Sequence, residues 1–82
     1  MLLDVRTERE FASGHLDGAR NVPIGELAAH AGDFAAEEPV AVMCEGGYRS
    51  GLAASLLARR GVRSVINVAG GMAAYRAMEA AS

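Results

Sequence analysis

Lysine is absent from this 82-residue chain and cysteine occurs once, at Cys44. A single cysteine forms no internal disulfide, and in a reducing compartment it stays a thiol. Eight arginines against ten acidic residues leave a formal net charge of -2. That balance offers no broad positive surface, so neither nucleic acid nor an anionic membrane is an expected partner. Long apolar runs are missing too: none approaches the roughly 20 residues of a membrane span, and a charge at Asp4 interrupts the start of the chain where a signal peptide would carry its apolar stretch. The expected location is the cytoplasm. One cysteine and two scattered histidines, His15 and His30, do not make a zinc site.

What remains is ordinary globular material, 51% hydrophobic and 22% charged. At this length residues 1–82 form one domain, which buries roughly 60–65% of its unfolded surface and has little stability to spare. Leu2–Arg6 reads as a short strand. Thr7 with Glu10 three residues on has the form of a capping box, so a short helix is expected next, with Phe11 on its inner face. Gly14–Gly18 is a turn, Ala19–Val22 a short extended piece ended by Pro23, and Gly25–His30 one or two helical turns. Glu37-Glu38-Pro39 is a solvated loop. Val40–Met43 is a continuous apolar run, the pattern of a strand buried on both faces. A helix capped by Ser50 is expected to run to about Arg60, with Gly61 as terminator; Ser64–Val68 is the last strand and Met72–Ala80 the last helix. Alternating strands and helices imply an α/β fold, a small mostly parallel sheet flanked by helices on both sides.

The segment Cys44-Glu45-Gly46-Gly47-Tyr48-Arg49-Ser50 links the central strand to the longest helix, where open α/β sheets place their ligands. Two glycines let the backbone curl with positive φ and turn successive N–H groups inward, making a nest for a negatively charged atom, and the helix points its positive end at the same spot. A cysteine at the mouth of this cup is expected to be a thiolate. A free thiol of pKa near 8.5 is about 3% ionised at pH 7, and lowering its pKa to about 6.5 takes roughly 2.7 kcal/mol. The helix end offers up to about 2 kcal/mol, and loop N–H groups with Arg49 are expected to supply the rest. Taken singly, these residues read as a turn, a surface charge, a cap and a packed aromatic; it is their combination beside a cysteine that points to nucleophilic chemistry.

With those residues in view, the chain resembles the rhodanese domains over nearly its whole length. The landmarks are Leu2-Leu3-Asp4-Val5-Arg6, Glu10-Phe11, Gly14–Ala19, Asn21-Val22-Pro23, the loop Cys44–Ser50, and Asn67-Val68 with Gly70-Gly71. The family's loop has the form Cys-x-x-Gly-x-Arg-Ser, which Cys44, Gly47, Arg49 and Ser50 fill. The resemblance implies a sulfurtransferase in which Cys44 accepts a sulfane sulfur from thiosulfate or a persulfide and yields it to a thiol or cyanide, with no cofactor. Glu45, Gly46, Gly47, Tyr48, Arg49 and Ser50 would bind the substrate. Family domains usually begin with a further strand and helix, so this chain is expected to be either an abbreviated domain or a piece of a longer one, with a partner protein or upstream domain among its prospective partners and an open sheet edge. Glu45 is expected to oppose an anionic donor and to raise the thiol pKa. His15 is expected to make a local hydrogen bond, and Asp4, Arg6 and Glu10 to form a structural charge group. Two other readings stand beside the sulfurtransferase. One is a cysteine phosphatase, whose loop resembles Cys-x5-Arg where only four residues separate Cys44 from Arg49. The other is a non-catalytic binding or sulfur-relay module of a larger protein.

Overall fold

The computed structural model describes residues 1–81, with Ala81 described by its backbone alone. Four short strands make one wholly parallel sheet: β1 (Leu2–Asp4), β2 (Arg20–Asn21), β3 (Val40–Met43) and β4 (Val65–Asn67), in the order β2-β1-β3-β4. Between them lie α1 (Glu8–Ala12), a 3-10 segment (Ile24–Asp33) and α2 (Tyr48–Arg59), and α3 (Gly71–Ala81) closes the chain. The expected α/β class and element order are those observed. The clearest change in kind is the 3-10 segment, which extends the one or two turns read between Gly25 and His30.

Register aligns Leu3 with Val42 and Val42 with Asn67 across β1, β3 and β4, and Val40 with Val65. Neighbours in such a row share a face, and alternation puts Val5 and Cys44 there as well. This face meets α2 and the 3-10 segment, and the core joins Leu3, Val5, Val40, Val42 and Cys44 to Leu27, Phe34, Ala53 and Leu57. The opposite face is covered unevenly: Met43 is buried, whereas Ile66 on the edge strand β4 is 60% exposed.

The capping box forms as expected. Thr7 Oγ1 accepts from the Glu10 backbone N–H at 3.1 Å, and the Glu10 carboxylate accepts from the Thr7 backbone N–H at 3.0 Å. Phe11 is half-buried and its ring stacks on His15 at 3.7 Å, while His15 Nδ1 lies 2.8 Å from the Phe11 carbonyl oxygen, the local role expected of it. His30 has a partner that spacing alone did not suggest: Asp33, 3.1 Å away, which Arg20 also engages at 3.0 Å.

Candidate active site

Strand β3 delivers the cysteine. Because Cys44 continues the alternation of Val40 and Val42, its side chain enters the core face beneath the start of α2 and is 1% exposed. The expectation of a thiol at the mouth of the cup is thus replaced by one at its floor. Gly47 takes φ +105°, and its N–H donates to Sγ at 3.0 Å. Gly46 does not share the positive φ, so one left-handed glycine, not two, makes the bend.

Ser50 is not the helix cap. The bend at Gly47 is tight enough for α2 to begin at Tyr48, with Gly47 as N-cap and no side-chain capping bond. That moves Ser50 into the first turn, where it is wholly buried, its hydroxyl 3.4 Å from Cys44 Sγ, 3.1 Å from the Gly47 carbonyl oxygen and 2.6 Å from Asn67 Oδ1. Burial is the largest single influence on the thiol and pushes its pKa up. Against it act the Ser50 hydroxyl and the backbone N–H groups of Ser50, Gly47 and Gly46, which together hold the thiol below its ordinary value. The cradle is therefore built mainly from backbone, as two adjacent glycines suggested.

The outer wall of the cradle is set by α3. The Met72 and Ala73 N–H groups donate to the Cys44 and Glu45 carbonyl oxygens at 3.0 and 2.9 Å. Across a trans peptide the following N–H points the opposite way, so anchoring these two carbonyls turns the Glu45 and Gly46 N–H groups away from α3. Gly71 permits the approach: at φ +47° a Cβ there would lie 2.0 Å from the Cys44 carbonyl oxygen. Gly71→Ala is expected to cost upwards of about 2 kcal/mol by forcing the loop off α3; a urea midpoint within error of wild type would show that α3 yields instead.

Charge is arranged around the loop, not inside it. Arg49 turns outward and holds Glu10 in a two-pronged contact of 2.6 and 3.0 Å. Glu10 therefore belongs with Arg49 and ties α1 to α2, whereas Asp4 and Arg6 form the structural pair expected of them. The Glu45 carboxylate is engaged by Arg76 on α3 and lies 3.7 Å from Arg6 Nη1. The expected rise of the thiol pKa beside Glu45 is not found: Cys44 sits below its ordinary value, held there by the Ser50 hydroxyl and the loop N–H groups, while Glu45 is occupied by the two guanidinium groups. Tyr48 is 80% exposed and Gly46 is exposed, so both contribute to the rim. Asn67 and the Glu10 partnership were not singled out as parts of the site, because each is brought in by register or helix packing across more than a dozen residues.

Arg49 lowers the Glu10 carboxyl from 4.5 to about 2, chiefly through the paired hydrogen bonds. A depressed folded-state pKa adds stability above the unfolded value, and this is lost as pH falls from about 4.5 to about 2. Glu10→Gln keeps a capping side chain but removes the charge. Discounted for a half-exposed, screened pair, the variant is expected to lose about 1 kcal/mol at neutral pH and to converge with wild type near pH 2. Parallel denaturation curves at every pH would show that the pair adds nothing.

The class of the protein is a small parallel α/β domain whose central strand ends in a thiol held by backbone N–H groups at a helix N-terminus. The chain belongs to the rhodanese-like domain family, whose model matches residues 1–78. It is 39% identical over 70 residues to the uncharacterized protein YqhL of Bacillus subtilis, a match covering 85% of this chain and 56% of YqhL, so the chain spans little more than half of that relative's length. It is 34% identical to the thiosulfate sulfurtransferase GlpE of Shewanella oneidensis, over 90% of this chain and 73% of the relative. The crystal structure of a rhodanese-like domain protein from Staphylococcus aureus superimposes with a TM-score of 0.86 at 32% identity, covering 90% of this chain and 72% of that one. Among the described residues no helix is long and apolar enough to cross a membrane.

Proposed function

We propose that this chain is a sulfurtransferase in which Cys44 carries the sulfur as a persulfide. The observation that carries the reading is the Gly47 N–H placed 3.0 Å from Sγ inside a loop whose other N–H groups also favour the thiolate. In the first half-reaction the thiolate attacks the outer sulfur of thiosulfate, forming a Cys44 S–S bond and releasing sulfite with the electron pair of the broken bond. A small-molecule persulfide reacts in the same way and leaves as its thiolate. In the second half-reaction a thiolate or cyanide attacks the outer sulfur of the Cys44 persulfide, departs with it, and returns Cys44 as thiolate. Each electron pair travels with a sulfur, so the chemistry calls for no cofactor.

Loop N–H groups hold the negative charge of both the thiolate and the persulfide. Arg49 braces the loop from outside through Glu10 and adds positive potential. Cys44 is 1% exposed, so the donor's outer sulfur meets it from the loop side, past the exposed Gly46 and Tyr48 of the rim. A cytoplasmic location would suit a permanently reduced thiol. Intact-mass measurement after thiosulfate or glutathione persulfide is expected to show one added sulfur, lost on adding a thiol or cyanide. Sulfur that is taken up but never released would favour a relay or binding module, and no uptake from either donor would overturn the reading.

A further inference from the structure

We propose that Asn67 is a positioning residue for Cys44: its side-chain amide on β4 decides whether the one hydroxyl proton of Ser50 is turned away from the sulfur or toward it. The inference rests on the reading of Cys44 as the reacting thiolate. Register places Asn67 in the row of Val42 and Leu3, on the α2 side of the sheet; it is itself exposed on the edge strand β4, and its Oδ1 lies 2.6 Å from Ser50 Oγ. Ser50 Oγ is in turn 3.4 Å from Cys44 Sγ and is wholly buried. A hydroxyl has one proton and two lone pairs. While that proton is donated to Asn67 Oδ1, Ser50 presents a lone pair to the sulfur. This arrangement suits the thiol, whose S–H donates to Ser50 Oγ.

Removal of the thiol proton reverses the requirement. The sulfur becomes an acceptor, and a Ser50 lone pair facing it is repulsive. Turning the Asn67 amide by half a revolution exchanges Oδ1 for Nδ2, nearly identical in shape. The Nδ2–H then donates to Ser50 Oγ, and the Ser50 proton is left to choose between the Gly47 carbonyl oxygen at 3.1 Å and Sγ, of which the charged thiolate is the stronger acceptor. Clearance for this turn exists: Nδ2 lies over Gly51, where even a Cβ would come no nearer than 3.4 Å, and among the described residues Nδ2 has no hydrogen-bond partner that would have to be given up. The charged groups around the loop are Glu45, Arg49 on α2 with Glu10 on α1, Arg6 after β1, and Arg76 on α3. They act on the sulfur in both orientations and do not make the choice.

The amide thus stabilises both protonation states and lowers the barrier between them, whereas a carboxylate at 67 would only accept. Asn67→Asp is expected to raise the midpoint of the pH dependence of Cys44 alkylation by iodoacetamide by about one pH unit, the size of a lost hydrogen bond to a charged group. In a Ser50→Ala background the same substitution is expected to move the midpoint by less than half as much, because only the through-space charge remains. Equal shifts in the two backgrounds, or no shift in either, would overturn the proposal. A second reading needs no variant: the Asn67 side-chain amide resonances of the full chain should titrate with the Cys44 midpoint, and resonances that stay fixed through it would likewise overturn it. Sulfur loading measured on the same samples keeps the two questions apart, since absent loading with intact amide coupling counts against the sulfurtransferase reading alone.

Discussion

Arg6→Met is expected to cost about 3–5 kcal/mol, the loss that follows when one partner of a buried ion pair is left alone. The pair is unusually enclosed, with Asp4 at 0% and Arg6 at 1% exposure. Arg6 Nε and Nη2 reach the Asp4 carboxylate at 2.9–3.2 Å, Nη2 also donates to the Gly14 carbonyl at 2.8 Å, and the Arg6 backbone N–H donates to Asp4 Oδ1 at 3.0 Å. Asn21 Nδ2 bridges the Asp4 and Arg6 carbonyl oxygens, so β1, β2 and the Gly14 turn all meet at this point. A domain of this length has only about 4–12 kcal/mol in total, and the variant should be largely unfolded under mild denaturant. The double variant Asp4→Leu with Arg6→Met is expected to retain more stability than Arg6→Met, because it buries no orphaned charge. Urea denaturation of the three proteins decides the matter. A loss below about 1 kcal/mol for Arg6→Met would mean that water reaches Asp4 in the variant and the pair adds little.

The second large effect is chemical. Cys44→Ser is expected to abolish sulfur loading from both thiosulfate and glutathione persulfide and to reduce transfer to the rate seen without protein. A serine hydroxyl is not ionised near neutrality, and an O–S adduct would not survive as a carrier, whereas the cradle offers its N–H groups to whichever atom stands at that position. Because a serine hydroxyl at 44 is smaller than the thiol and finds hydrogen-bond partners in the Gly47 N–H and the Ser50 hydroxyl that face Sγ, the variant should fold, and its circular dichroism should match wild type. Intact-mass spectrometry reads the result. Loading that persists in Cys44→Ser would move the chemistry elsewhere in a chain that has no second cysteine, and the sulfurtransferase reading would fall.

Much of the fold is legible in the amino-acid sequence. The Val40–Met43 strand was readable because an apolar run of that length, bounded by Pro39 and followed by glycines, suits few other conformations. The capping box was readable because both of its bonds are made within four residues. Ser50 departs from its expected role for a related reason: serine before a helix is usually a cap, but Gly47 at φ +105° starts the helix three residues earlier and turns Ser50 inward. Glu10 was grouped with its neighbours in sequence, yet it spans to Arg49, 39 residues away, because α1 and α2 approach each other at the loop.

The element order, the α/β class and the position of the Cys44 loop between the central strand and the longest helix are legible in the residues alone, since period, turn residues and the Cys44–Ser50 spacing act over a few residues of contiguous chain. Tertiary packing sets which way the thiol faces, that Arg49 braces the loop through Glu10, that Arg76 and Arg6 engage Glu45, and that Asn67 touches Ser50. Those contacts depend on strand register and on the placement of α1 and α3, which are set by burial of the whole core and leave no local trace in the residues they join.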